Sequence, residues 1–230
     1  MQLIIFTVYL LCIAYFLYRI INAFNDEYRI RLDEEMLKKQ LEALSLQEIL
    51  GVSFKFEKRY EFDKLKQLVI NISNKSKSHS IYVDWDYCAL TDFEGRSRRV
   101  TRLMPGSTLD LFQEQVFSPI APNTTLKETI TAEDVLKRRD SDPKLPVALE
   151  LQVTKVLVDI KALNNPKGPD TNKRRYARFM QQKQDLEFFL ELALRLVGPV
   201  RSLGGDRAHL LCRFVLTKLP WTAGLPWNPK

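Results

Sequence analysis

The chain has 230 residues, with 35 lysines and arginines against 28 aspartates and glutamates, which gives a formal net charge of +7 at pH 7. Its 45% of apolar and 27% of charged residues are typical of a globular protein and exclude a wholly disordered chain. Two histidines and three cysteines are too few for a disulfide scaffold, a Cys/His zinc module, or a haem or iron–sulfur fold.

An uncharged apolar stretch opens the chain. Residues 1–18 carry no charged side chain, and Arg19 is followed by mostly apolar residues up to residue 24. A helix of about 20 residues crosses a hydrocarbon core of roughly 30 Å. A secretory signal peptide would have basic residues before the apolar run and a small-residue cleavage site after it, and neither is found. We therefore expect residues 1–24 to form an uncleaved transmembrane anchor in a lipid bilayer.

Basic side chains flank this stretch on its C-terminal side only. Arg19, Arg29, Arg31, Lys38 and Lys39 follow it, whereas the α-amino group is the only cation before it. The positive-inside rule then predicts an N-terminus outside and a C-terminal domain in the cytoplasm.

Residues 25–50 are predicted to form a short helical stalk. Leu37, Leu41 and Leu44 lie on one narrow stripe at helical spacing. The stripe is shorter than the three or four heptads that a coiled coil needs. Docking on the following domain, a short helix pair and contact with a partner helix all remain open.

From residue 51 the apolar period changes from 3.6 to 2, which is typical of strands. Residues 186–196 and 208–216 alternate most regularly, and the short connection between them predicts an antiparallel pair. Many short strands without long helices predict an antiparallel two-sheet β-sandwich over 51–230, with an immunoglobulin-like topology as the specific expectation. Residues 163–182, rich in Pro, Gly, Asn and basic residues, are predicted to be a long basic loop.

No motif indicates catalysis. His79 and His209 lack a nucleophile and acid in sequence context, and no GxSxG, HExxH, P-loop or GxGxxG motif occurs. Asp84 and Asp86, two residues apart on one predicted strand, would suit a small-ligand or calcium site, although an ordinary polar strand face that pairs with Lys or Arg is the favoured explanation. We expect a non-catalytic protein without a cofactor or a metal.

The cysteines bear on the compartment. Cys88 and Cys212 both fall in predicted strands, where an oxidising compartment would allow a bridge and the cytoplasm would keep two thiols. Alternation places Cys212 on the apolar face of its strand and Cys88 on the face opposite to Trp85. This mismatch favours free thiols, in agreement with a cytoplasmic domain.

Basic clusters and the tryptophan-containing tail are the candidate partner contacts. The clusters suit docking on an anionic membrane surface or on an acidic protein, and without a nucleic-acid-binding motif no nucleic acid is expected. The proline-flanked tryptophans suit a partner groove or the membrane interface. The candidate contact residues are Arg96, Arg98, Arg99, Arg102, Lys173, Arg174, Arg175, Arg178, Trp221 and Trp227.

Three segments carry a family resemblance: VDWDYCALTDFEGRSRRVTRL (83–103), QVFSPIAPNTTLKETITAEDVL (115–136) and TKLPWTAGLPWNPK (217–230). They resemble an uncharacterised family of single-pass membrane proteins from cyanobacteria. The resemblance implies a plasma or thylakoid membrane setting, and no residue roles transfer with it.

The sequence as a whole predicts a membrane-anchored, non-catalytic binding domain that serves as an accessory, scaffold or assembly factor of a membrane protein complex. The alternative is an extracytoplasmic envelope protein, or a small-ligand or metal-binding domain that uses Asp84 and Asp86.

Overall fold

The computed structural model describes residues 2–23, 26–103, 114–138, 151–198 and 207–224. Three α-helices lie in this part of the chain: α1 (Gln2–Ala23), α2 (Glu34–Ala43) and α3 (Asp170–Met180). The strands are β1 (Glu27–Leu32), β2 (Leu50–Lys55), β3 (Tyr60–Glu61), β4 (Leu68–Asn74), β5 (Ser80–Val83), β6 (Ala89–Thr91), β7 (Ser97–Arg102), β8 (Ser118–Ile120), β9 (Thr125–Ala132), β10 (Leu136–Arg138), β11 (Leu151–Val153), β12 (Leu186–Val197) and β13 (Arg207–Lys218).

Antiparallel pairing joins eleven of these strands into one curled sheet. Its order is β2-β4-β9-β7-β6-β12-β13-β1-β3, with β5 pairing β12 and β8 off this path. β7 changes partner half way along: Ser97 to Arg99 pair with β6, whereas Val100 to Arg102 pair with β9. A strand that passes from one set of neighbours to another turns the sheet through a corner, so that its two halves face each other.

The aromatic core shows that the two halves are in contact. Phe54 of β2 meets Phe214 of β13 with ring centroids 4.8 Å apart and nearly perpendicular rings. Phe188 of β12 stacks on the same Phe214 at 4.7 Å. Edge-to-face and offset-stacked pairs of this kind add to the energy of simple burial. The core therefore lies between β2 and the β12–β13 pair.

The mainly β, antiparallel prediction is confirmed. β12 and β13 pair in antiparallel register over ten residue pairs from Leu186↔Leu216 to Arg195↔Arg207. Their alternate residues are buried, as the period of two predicts. One continuous curled sheet forms the two facing layers, and the immunoglobulin-like topology stays a prediction.

The helical stalk predicted over residues 25–50 is wrong in its first part. Glu27–Leu32 is strand β1, which pairs with β13 and β3, and its Tyr28 and Ile30 are buried in the core. Only Glu34–Ala43 is helical, beginning after Asp33, whose carboxylate accepts the N–H of Met36 at 3.1 Å. The leucine stripe does dock on the domain, since Leu37 and Leu41 are buried.

The long basic loop predicted over residues 163–182 contains helix α3. Acidic Asp170 in its first turn and basic Arg178 in its last turn stabilise the helix by interacting favourably with its dipole. Phe179 is fully buried and lies 6.2 Å from the ring of Phe62, which anchors the helix to the core. The apolar side chains of α3, namely Tyr176, Ala177, Phe179 and Met180, are confined to its last two turns, and this is too weak a signal to predict the helix.

The side chains of α1 that the structure describes are all exposed, including Leu11 at 64%. Among the described residues, no helix combines the length and the hydropathy that a membrane crossing requires. The span predicted for residues 1–24 stays a prediction.

Candidate functional site

The predicted arginine cluster is largely paired within the domain. Arg96 lies 3.2 Å from both Asp92 and Asp134, and Arg98 also bonds Asp134 at 3.2 Å. Arg98 donates a further hydrogen bond to the carbonyl of Leu157 at 2.6 Å, and only 8% of its side chain is exposed. These two arginines connect the β6–β7 turn to residues that lie far away in sequence.

Arg99 bonds the carboxylate of Asp86, which also accepts the backbone N–H of Gln115 at 2.9 Å. Partial burial alone would raise the pKa of Asp86. The hydrogen bonds from Arg99 and Gln115 outweigh this effect and hold the pKa below its ordinary value. The carboxylate of Asp86 is therefore committed to a network inside the domain.

The interpretation of Asp84 and Asp86 as neighbours on one strand face is wrong. β5 ends at Val83, and Trp85–Tyr87 forms a 3₁₀ turn that leaves Asp84 buried and Asp86 half-buried. Neither acid lines the groove or the cleft described below. Within the described ranges, no group of three or more His, Cys, Asp or Glu side chains is placed to hold a metal ion.

Arg102 is buried in the core. Its guanidinium donates to the hydroxyl of Ser118 at 2.9 Å and to the carbonyl of Val116 at 2.8 Å. It also lies 5.7 Å from the ring of Trp85, whose indole N–H donates to the same Ser118 at 2.9 Å. The two terminal nitrogens of this buried cation are hydrogen-bonded, whereas its Nε has no partner among the described residues. The bonds hold β7 against β8, and burial keeps the side chain out of reach of a partner.

The basic residues of α3 divide into two pairs. Arg175 donates to the carbonyl of Phe93 at 2.6 Å, and Lys173 lies 3.3 Å from Asp170. Arg174 and Arg178, four residues apart on one helix face, are exposed and form no ion pair with any residue the structure describes. Of the predicted contact residues, these two present the most accessible charge.

The tail is described as far as a 3₁₀ turn, Trp221–Gly224. Trp221 is 40% exposed, and the turn is held by a hydrogen bond from Arg59 to the carbonyl of Ala223. The backbone N–H of Leu219 bonds the carbonyl of Glu27, at the start of β1. Trp221 lies two residues after Leu219, which is bonded to Glu27, a residue that follows α1. Trp227 lies outside the described residues.

A groove of about 660 Å³ opens between β2 on one side and β1 with α2 on the other. This volume falls within the roughly 300–1,000 Å³ typical of ligand-binding clefts. Eight apolar side chains line it: Ile30, Leu32, Leu37, Leu41, Leu50, Val52, Phe54 and Phe56.

Gln40 fixes α2 beside this groove. Its side-chain amide donates to the carbonyl of Leu211 at 2.9 Å and accepts the backbone N–H of Leu211 at 2.9 Å. β1 pairs with β13 only as far as Phe214, and the N–H of Asp33 then bonds the carbonyl of Arg213. Gln40 thus continues the ladder beyond the end of β1, as the backbone of one more strand residue would.

The other wall of the groove is a sheet edge. β2 pairs with β4 alone, at the end of the strand order. The N–H of Lys75 bonds the carbonyl of Ile49 at 2.7 Å. This bond shows which residues of β2 form hydrogen bonds with β4. In such a ladder alternate residues bond across to the partner strand. Ser53 therefore bonds β4, whereas Val52 and Phe54 turn their N–H and C=O groups toward the edge.

Charged side chains form the rim of the groove. Arg31, Lys38 and Lys75 stand against Glu34 and Glu42. Arg31 lies 3.8 Å from Asp185, but Lys38 and Lys75 form no ion pair with a described residue. Because Arg31 is paired with Asp185, the two lysines and the two glutamates that remain on the rim balance in charge. A lysine without an ion pair to a described residue lies on each wall.

A second cleft of about 510 Å³ lies between the β6–β7 turn and the segment around residue 157. It is polar, and its charged side chains include Asp92, Arg96, Arg98 and Asp134. These residues pair with one another, and their ion pairs hold the two segments together.

The reactive side chains are not arranged for nucleophilic chemistry. Cys88 and Cys212 are free and buried, and burial raises the pKa of each thiol to about 12. Cys88 is buried because the 3₁₀ turn resets the alternation that was predicted to turn it outward. His79 contacts the hydroxyl of Ser76, and His209 contacts Glu191 on the exposed face of β12.

Sequence reasoning missed the groove. The apolar alternation that begins at residue 51 predicts strands, but nothing in the sequence says that β2 is an edge or that α2 lies opposite it. Comparison with protein-family models, curated proteins and solved structures gives no match for this chain. The resemblance to the cyanobacterial family stays a prediction, and the functional argument rests on the residues themselves.

Proposed function

We propose that this protein is a membrane-tethered, non-catalytic binding domain that acts as an accessory, scaffold or assembly factor of a membrane protein complex. The exposure of α1 is the observation that carries the proposal. Large apolar side chains from Ile4 to Tyr18 are exposed around the helix, and no charge interrupts them before Arg19. A helix that is apolar all round is stable only when something apolar covers it. A lipid bilayer is the covering that we propose.

Charges and aromatic residues near the other end of α1 support the same setting. Arg19 can extend its cationic head to the lipid headgroups while its stem stays in the apolar region. Trp221 is exposed and lies two residues after Leu219, whose N–H bonds the start of β1. Tryptophan has the amphipathic character favoured at a membrane interface. The exposed Arg174 and Arg178 would each gain about 1 kcal/mol beside an anionic leaflet.

The basic residues after α1 place the domain on the cytoplasmic side in this proposal. The free thiols Cys88 and Cys212 are compatible with a reducing compartment. Two reporters can be fused after Lys230, one that is active only in the cytoplasm and one that is active only after export. The first is expected to be active and the second inactive. Activity of an exported reporter at the same position would reverse this orientation.

The tether is tested by flotation of the full chain with phospholipid vesicles. We compare Leu11→Arg, in the middle of α1, with Gln2→Arg, at its start, because both add one positive charge. A charge at the bilayer centre costs about 3 kcal/mol, whereas one near the interface costs little, so Leu11→Arg is expected to reduce partition roughly a hundredfold. Gln2→Arg is expected to float like the unmodified chain.

Two results would contradict the tether. One is that the unmodified chain remains at the bottom of the gradient with vesicles of every composition tested. The other is that both variants float equally well, which would show that α1 lies outside the hydrocarbon region.

A further inference from the structure

The groove between β2 and α2 combines three features that are seldom found together on an exposed surface. It has an apolar lining, an unpaired strand edge, and unpaired lysines on its rim. We propose that an extended peptide segment of a partner protein, apolar at alternate residues and acidic at its ends, binds here by adding a strand to β2. This identifies the partner chemistry of the binding function proposed above and rests on it.

The strand edge determines the class of ligand. Val52 and Phe54 direct their N–H and C=O groups toward the groove, and β2 pairs with β4 alone. A lipid chain or a packed helix leaves these groups unsatisfied, which costs free energy as the groove is closed to water. A peptide backbone satisfies them two residues apart, as in other strand-addition complexes.

The apolar lining determines the pattern of the peptide. Side chains of Val52, Phe54 and Phe56 point to the same face at a spacing of two, opposite Leu37 and Leu41 of α2. Peptide residues opposite Val52 and Phe54 in bonded pairs direct their side chains to that same face. Alternate residues of the peptide must therefore be apolar, and those between them face away from the lining.

The rim determines the charge of the peptide. Lys38 on α2 and Lys75 after β4 are exposed, lie on opposite walls and form no ion pair with a described residue. Gly51 leaves room for Lys75, whose Cε lies 3.3 Å from the position that a Cβ on Gly51 would occupy. Glu34 and Glu42 lie on the α2 wall beside Lys38, whereas Lys75 is the one charged residue, among those described, that lines the groove on the β2 side. Carboxylates at the ends of the peptide would pair with these individual lysines.

The probe is a fluorescein-labelled peptide, Glu-Val-Thr-Val-Thr-Val-Glu, added to the full chain in phosphatidylcholine nanodiscs and followed by anisotropy. N-methylation of two valines removes N–H groups that face β2. N-methylation of the two threonines removes the same number on the far side. We expect the valine-methylated peptide to bind roughly thirtyfold more weakly than the parent, and the threonine-methylated peptide to bind like the parent.

Two variants of the protein show where the peptide binds. Lys38→Glu changes a lysine that lines the groove, and Lys39→Glu changes its exposed neighbour, which does not. Lys38→Glu is expected to weaken binding about fivefold at low salt, and Lys39→Glu is expected to have no measurable effect. The effect of Lys38→Glu should disappear at high salt.

Equal binding of the two methylated peptides would overturn the proposal, since the groove would then be an apolar site without strand pairing. Binding of cis-parinaric acid at the groove with no binding of the parent peptide would overturn it as well. Flotation of the same preparation reports the tether without reference to the peptide. Failure of strand addition and failure of the proposed tether are therefore distinguishable.

Discussion

Arg102 and Arg96 lie in one short segment but are expected to contribute very differently to the stability of the fold. Arg102 is buried against Trp85 and donates to Ser118 and Val116, whereas Arg96 is 64% exposed in its ion pairs. Arg102→Ala is expected to lower the free energy of unfolding by about 2–4 kcal/mol, because it removes the buried hydrogen bond to Ser118, the bond to Val116 and the packing against Trp85. Arg96→Ala is expected to lower it by less than about 1 kcal/mol. Urea unfolding measures both values, and equal effects would contradict the structural role of Arg102.

Asp86 gives the folded state a dependence on acid. Its pKa is lowered in the folded protein by Arg99 and Gln115, despite the opposing effect of burial. The stabilisation is therefore present above the ordinary pKa of 3.8 and is lost as the pH falls through the lower folded value. Asp86→Asn should destabilise the protein at pH 7 by about 1–3 kcal/mol and make its stability less sensitive to acid. Asp185→Asn, at an exposed pair, is the control, and parallel pH profiles for Asp86→Asn and the unmodified chain would contradict the expectation.

The basic residues could be identified from the sequence, but the sequence does not show which of them are paired or buried and which are exposed. Two of the acids that pair with Arg98 and Arg99, namely Asp134 and Glu133, lie more than thirty residues away along the chain. Composition cannot show such pairings, because they depend on how β7 turns between the halves of the sheet. Arg174 and Arg178 were identified with the same reasoning, and they remain exposed because α3 directs them away from Phe179.

At the scale of the element, α2 is held in place by one side chain. Gln40 satisfies both backbone groups of Leu211 where β1 has ended. Gln40→Ala is expected to cost about 1–3 kcal/mol of folding free energy and to increase amide exchange at Leu211. Lys39→Ala, at the exposed neighbour, should change neither quantity. Unaltered protection of Leu211 in Gln40→Ala would show that α2 is held by its leucines alone.

Strands and helices were predictable to different degrees. β12 and β13 were predicted because each buries alternate residues over a long run, a signal that survives any tertiary arrangement. β1 was mistaken for helix because Ile30 lies seven residues, about two helical turns, before Leu37 and so falls on the same apparent stripe. Its strand state is imposed by pairing with β13, almost two hundred residues later. Tertiary pairing of this kind overrides local propensity.

At the scale of the whole molecule, the curl of the sheet creates the groove. β7 joins the two halves on one side. On the other side, the outer edge of β2 pairs with no strand that the structure describes, and α2 and β1 lie opposite it. A closed barrel would have no such edge. The sequence predicted mainly antiparallel β structure, but the position of the open edge depends on strand order, which alternation does not encode.

The tether of the whole molecule is tested most directly at Cys12, the one exposed cysteine, while Cys88 and Cys212 are buried. The full chain in phospholipid vesicles is treated with a water-soluble maleimide, with Lys39→Cys as an accessible reference and urea-unfolded protein as the measure of complete labelling. If lipid covers α1, Cys12 should remain unlabelled while the cysteine at position 39 reacts fully. Labelling of Cys12 as fast as that reference would contradict the membrane tether.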